Sequence, residues 1–390
     1  MPNRANITPE IFKWARESAH ISELVAATKV SSSIEKLKEW EAGISQPTIK
    51  QAQTLARFYK RPFALFFLPE IPKDFQPLQD YRRTGSKPLS TASVFIIREI
   101  QQKQSWISEV YQENREDKLS FVGKFSMNDK PEVIADDILK TLKIKPGSYS
   151  TDNPIKEWID KAESKGVFIS RTSFIHSRLK LDSEEIQGFA IADQYAPFVF
   201  INSDDWEAPQ LFTLVHELAH LWIAETGISN EIDSEIFDQN KIHPVELFCN
   251  EVAASALIPR DEINKIVGSS FSSSKEIFRS SKTLGVSSLA IIVRALNLNL
   301  IALEKYQKLK KEIGDDFTTF IEREEQRKIK QKEKPGGPNY FLLQLNRNSR
   351  LFTQTVLDAY RGGFIEPAQA SNLLNVQINK FNKLETQLYK

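Results

Sequence analysis

Stretches with apolar residues three and four apart alternate along the chain with shorter, nearly continuous apolar runs, and the two periods predict different elements. Over the first seventy residues Ile11, Trp14, Ala15, Leu24, Val25, Ile34, Leu37, Ile49, Leu55 and Ala56 recur at helical spacing between turn residues, which predicts a compact module of short helices. Pro69, Pro72 and Pro77 punctuate its end, because proline removes an amide donor and restricts the residue before it. Residues 89–111 and 131–143 predict two more helices, the second stopping before Pro146-Gly147. Three short β-branched or aromatic runs follow, at 166–170, 188–192 and 197–201, and predict a small sheet of about three strands. Residues 208–225 and 244–257 have the apolar spacing of buried helices, the second stopped by Pro259. Residues 276–300 predict two further helical stretches around Leu284-Gly-Val-Ser287. The charged run 308–334 predicts an exposed helix or tether, and Lys334-Pro-Gly-Gly-Pro338 a linker before a small helical appendage.

The expected fold is α+β and mostly helical, with the sheet and the two buried helices in one domain. At 390 residues the chain exceeds what one core usually organises. Five segments are expected: a helical module at 1–75, a helical connector at 76–150, the sheet-bearing domain at 151–305, a charged helix and linker at 306–338, and a C-terminal helical module at 339–390.

Charge alters this picture little. Fifty-two Lys and Arg face fifty-one Asp and Glu, so no global field draws the protein to nucleic acid or an anionic membrane, and any DNA contact must be local. The longest strongly apolar run, residues 63–68, is far too short to span a bilayer, and the start lacks an apolar core of secretory type. A cytoplasmic protein with no membrane contact is expected. The single cysteine, Cys249, excludes an intrachain disulfide and a four-cysteine zinc framework, so a metal site must draw on His and carboxylates.

Such residues stand together in His216-Glu-Leu-Ala-His220, inside an apolar helical stretch. Residues four apart lie one helical turn above each other, so both imidazoles can reach one tetrahedral zinc while Glu217 points to the water bound there. Zinc is the expected ion, with another divalent metal as the alternative. A catalytic site of this kind takes a third protein ligand and leaves the fourth position to water. Glu225, five residues past His220, would point roughly 140° round the same helix. Glu231, Asp233, Glu235 and Asp238 fall in the connecting segment. Glu246, one turn into the next helix, is the chosen third ligand, and Asn250 on the same face could orient a neighbouring ligand. Glu246 also suits the ordinary role of a first-turn carboxylate, in which case Glu251 or the connecting acids become the candidates. His243 could steady an oxyanion or leaving group, or simply cap the helix. A substrate added as an extra strand would lie over the metal, and residues 198–202 are the expected edge for it.

Gly188-Phe-Ala, Val199-Phe-Ile-Asn202, Phe212-Thr-Leu-Val-His-Glu-Leu-Ala-His220, Glu246-Leu-Phe-Cys-Asn250 and Val252-Ala-Ala-Ser-Ala-Leu-Ile-Pro259 together resemble the ImmA/IrrE metallopeptidases. The resemblance covers roughly residues 150 to 300. It implies a zincin-like, gluzincin-type site in which His216, His220 and Glu246 bind zinc and Glu217 is the base. It also implies a protein substrate, a repressor or antitoxin-like regulator. The N-terminal module is similar to the XRE and Cro type of helix-turn-helix, with Ser22-Glu-Leu-Val-Ala-Ala27 on the first helix of the pair and residues 31–40 on the second. That likeness implies that Ser32, Ser33 and Lys36 face base edges in double-stranded DNA. Glu35, Glu39 and Glu41 offset Lys36 and Lys38, however, so a protein-docking role is the alternative. The rival for the whole chain is a DNA-binding regulator whose metal site is structural or vestigial. Glu217 favours an enzyme, because a structural site needs no base beside the water.

Overall fold

The computed structural model describes residues 3–72, 78–81, 86, 88–176, 179–229, 243–271, 273–316 and 339–390. They form two compact units.

The first unit holds the N-terminal residues, and small polar residues set its helix starts. Pro9 opens α1 (Pro9–Glu17). The Ser22 hydroxyl caps α2 (Glu23–Lys29) and the Ser33 hydroxyl caps α3 (Ile34–Glu41). Thr48 and Gln51 close a reciprocal capping box on α4 (Ile49–Phe58). The core is aromatic, with Phe12 edge-on to Phe66 at 5.0 Å and Tyr59 beside both. Arg16 of α1 reaches Glu41 of α3 through two hydrogen bonds of 2.7 and 2.8 Å, so a buried charge is paired. Ile11, Ala15, Leu37, Leu55 and Ala56 are buried as their spacing predicts, but Leu24 and Val25 of α2 face outward at 61% and 50% exposure. The unit also takes in residues 87–101 and a small hairpin, described below.

The second unit is built on a five-stranded mixed sheet. Its strands are β1 (Gln79–Asp80), β2 (Phe168–Thr172), β5 (Gly188–Ile191), β6 (Phe198–Asn202) and β7 (Gly227–Ser229), in the order β1-β7-β5-β6-β2. The outer pairs β1/β7 and β2/β6 are parallel, and the inner pairs are antiparallel. The intervening β3 (Phe174–His176) and β4 (Leu179–Lys180) make the hairpin of the first unit. The helix α5 (Thr91–Glu113) contributes its residues from 102 onward to the second unit.

Six further helices follow α5 along the chain: α6 (Pro131–Leu142), α7 (Pro154–Glu163), α8 (Glu207–Trp222), α9 (Pro244–Leu257), α10 (Arg260–Ser270) and α11 (Ser274–Leu284). They are followed by α12 (Ser288–Asn297), α13 at 303–316, α14 (Tyr340–Asn348), α15 (Arg350–Arg361), α16 (Pro367–Leu374) and α17 (Phe381–Leu388). The fold is therefore α+β and mostly helical. Helix α8 packs on β5 and β6, and α9 packs on α8 and α6. Ile169, Ala190, Val199 and Ile201 share the core of these helices. Phe168 and Phe198 instead stack at 5.4 Å and meet Phe352 of α15. Burial on both sides is why these strands read as near-continuous apolar runs rather than alternating ones.

Two expectations need correction. Residues 198–202 cannot take an added strand, because β6 is paired on one side with β5 and on the other with β2. The buried helix ends at Trp222, three residues before Glu225, because Ala224 turns left-handed at φ 57° and sends the chain into β7. Glu225 thus lies beyond the helix and not on its far face. The linker at 334–338 and the acids Glu231, Asp233, Glu235 and Asp238 lie outside the described residues.

A buried carboxylate ties the C-terminal helices to α7. Glu163 accepts hydrogen bonds from the Ser349 hydroxyl and from the Arg350 amide, which caps α15. Burial outweighs these bonds and pushes the carboxyl from its ordinary 4.5 up to about 7. The native state therefore favours the protonated form, and this contribution, complete below pH 4.5, is lost as pH rises through 7. Glu163→Gln, which keeps an acceptor oxygen and does not titrate, should gain stability relative to wild type between pH 5 and 8, by roughly 2–3 kcal/mol. Thermal melts across that range check it, and a pH-independent difference would contradict the assignment.

Candidate metal centre

Helix α8 is apolar nearly all round and is buried from Gln210 to Trp222. Polar side chains in such a helix must find partners, or their desolvation goes uncompensated. His216 and His220, one turn apart, are both 0% exposed, as is Glu217. Their Nε2 atoms face each other at 3.1 Å, and Glu246, 2% exposed, closes the group. One Glu246 oxygen lies 3.2 Å from His216 Nε2 and the other 3.1 Å from His220 Nε2.

Asn250, one turn after Glu246 on α9, holds its side-chain oxygen 2.9 Å from His216 Nδ1. A proton on Nδ1 directed at that oxygen leaves Nε2 with its lone pair toward the group. Ser229, at the end of β7, donates to Glu246 at 3.2 Å. Three electron-pair donors thus converge from two helices. Ligand atoms bound tetrahedrally about 2.1 Å from one ion lie about 3.4 Å apart, and the separations of 3.1 to 3.2 Å found here come close to that requirement. His216, His220 and Glu246 can hold a metal ion.

The electrostatics agree with such a site. Burial acts to raise the Glu246 carboxyl, but His216 and His220 together outweigh it and hold it at about 2, ionised. Burial lowers the His220 imidazole and keeps it neutral, as a ligand must be. Glu217 goes the other way. Burial first, and then the negative charge of Glu246, push it well above the usual carboxylate range, with the Ser229 hydroxyl opposing. Gly188 of β5 makes the room for it, since a Cβ there would stand 2.7 Å from Glu217 Oε1 and 2.8 Å from Thr213 Cγ2.

This constellation has a counterpart among known families. Residues 162–296 match the peptidase M78 family model, the IrrE N-terminal-like domain. The matched segment contains β2, β5 to β7 and α8 to α11, and with them every residue of the group above. It supports a metallopeptidase acting on protein, and M78 peptidases are typically metal-dependent, in keeping with the buried trio. A comparison of the whole chain with curated proteins finds no match.

His243, Ser32, Ser33 and Lys36 are not among the three donors. His243 is the N-cap of α9, with its Nδ1 accepting from the Val245 amide at 3.3 Å, and its ring meets Tyr81 rather than the trio. Ser32 precedes α3. Ser33 spends its hydroxyl on the Lys36 amide, and the Lys36 ammonium is paired with Glu39. Lys38 is paired with Glu23. Gly188, which makes room for Glu217, and Ser229, which donates to Glu246, escape any spacing rule, since each reaches the centre from a strand. Among the described residues no helix is long and apolar enough to cross a membrane.

Proposed function

We propose that the chain is a zinc-dependent endopeptidase that cuts a specific regulatory protein. The observation that carries this is the convergence of His216, His220 and Glu246 beside a buried carboxylate, Glu217, within the M78 segment. A zinc ion bound by the three ligands would polarise the scissile carbonyl and acidify the attacking water. Asn250 fixes the ring of His216, and Ser229 fixes the Glu246 carboxylate. Glu217, beside the ligand His216, takes the proton of the water and returns it to the departing amine. The low dielectric of a fully buried site strengthens each of these contacts.

The substrate we infer is a repressor or antitoxin-like regulator of helix-turn-helix type, in line with the ImmA/IrrE resemblance. The N-terminal module would supply specificity by docking. Its Lys36 and Lys38 are both neutralised by glutamates, which leaves α3 a poor electrostatic partner for phosphates. A DNA-binding regulator with a structural metal site remains the competing reading, but such a site has no use for Glu217. Remote docking places one loop over the metal without a deep side-chain pocket, so short peptides are expected to be poor substrates. The metal-loaded protein, incubated with casein, a peptide library and a repressor encoded beside its gene, should produce fragments only from the repressor. Rapid digestion of casein at many bonds would contradict the proposal.

A further inference from the structure

The strand β7, whose Ser229 donates to Glu246, has one side paired with β5. Its other side is taken by two residues of the chain itself, with Gln79 opposite Gly227 and Asp80 opposite Ile228. The Tyr81 amide extends the ladder by donating to the Ile228 carbonyl at 3.1 Å. Gln79 and Asp80 are exposed, and Tyr81 alone is buried, at 5%. Its ring stacks on the ligand His220, 5.7 Å between centroids and 14° between planes, and meets His243 at 4.8 Å. Its hydroxyl donates to Glu225 at 2.6 Å. Gly227 is what admits the ring, since a Cβ there would lie 2.2 Å from two ring carbons.

This arrangement blocks the chemistry proposed above. A peptide carbonyl has to reach the trio, yet His216, Glu217 and His220 are 0% exposed and Glu246 2%. The aromatic ring stacked on His220 stands on the approach, and the β7 edge that an extended peptide would join is already taken. A two-residue ladder leaves few backbone pairs to break, so the hold on the edge rests mainly on the buried Tyr81 ring and its bond to Glu225.

We propose that the outer edge of β7 is the groove for an extended peptide with an aromatic side chain over Gly227, His220 and His243, and that Gln79–Tyr81 is an internal occupant that keeps the centre closed. This inference rests on the peptidase reading for its meaning but not for its test. An occupant in the same chain competes at high effective concentration, so it weakens the apparent affinity of any peptide that uses the edge.

The experiment measures binding by fluorescence anisotropy in a Glu217→Gln background, which removes turnover from the measurement. The probe is a labelled synthetic peptide carrying Leu-Gln-Asp-Tyr, as at residues 78–81, between glycines. It should bind Glu217→Gln/Tyr81→Ala at least about tenfold more tightly than Glu217→Gln alone. Replacing the tyrosine of the probe by alanine should abolish the gain. Gln79→Pro, at an exposed ladder position, weakens the pairing that holds Tyr81 in its place, and should move affinity in the same direction if Tyr81→Ala fails to fold. Equal affinity for the closed and opened proteins, a gain indifferent to the aromatic residue, or no binding to either protein would overturn the proposal. Failure of the peptidase reading shows elsewhere, as absence of metal or of cleavage.

Discussion

Glu217→Gln should keep the metal and lose the reaction. Glutamine has the size of glutamate, so the space made by Gly188 is still filled and the ligands His216, His220 and Glu246 are untouched. What disappears is a carboxylate that can take a proton from water and hand it to an amine. General acid–base catalysis of this kind is worth roughly 10²–10⁴ in rate, and kcat on the regulator should fall by that factor while partner binding stays within error. Because the substitution neither empties that space nor removes a ligand, stability should not fall. A single-turnover assay with equal metal loading checks this. A Glu217→Gln enzyme within threefold of wild type would give the base role to another group.

The second large effect concerns the ligands. His216→Ala, His220→Ala and Glu246→Ala should each reduce bound metal from one ion per chain to a trace after dialysis against a weak chelator. Each removes one of three donors, and in addition leaves the remaining groups buried without their partner. Asn250→Ala should do less, weakening the metal by roughly 10–100-fold, because it supports His216 without touching the ion. Elemental analysis with a competition titration separates the two classes. Full occupancy in Glu246→Ala would move the third ligand to Glu251 or to the acids of 231–238.

How much of this is legible in the sequence follows from where each residue sits. Glu246 can be reached by reasoning because helix periodicity places it one turn into α9, and Asn250 follows on the same face. The core strands at 168–172, 188–191 and 198–202 lie within two residues of their apolar runs, since side chains buried on both faces leave a continuous signal. β1 and β7 leave none. Two and three residues long, with Gln79 and Asp80 polar, they exist only because the sheet edge pairs them. The placing of a substrate edge at 198–202 fails for the same reason, because strand order is a tertiary property. Leu24 and Val25 show the converse limit, as helical spacing identifies a helix without saying which apolar residues face inward.

Peptide-bond hydrolysis by Glu217 and a metal held on His216, His220 and Glu246 is the reaction proposed for this chain. The most direct test is to incubate the zinc-loaded protein with the folded regulator in ¹⁸O-labelled water and read the products by mass spectrometry. Two fragments are expected, with the heavy oxygen in the newly formed carboxyl terminus, and neither fragment from Glu217→Gln or from the chelated protein. Fragments that form equally fast with Glu217→Gln, or that persist without metal, would contradict it.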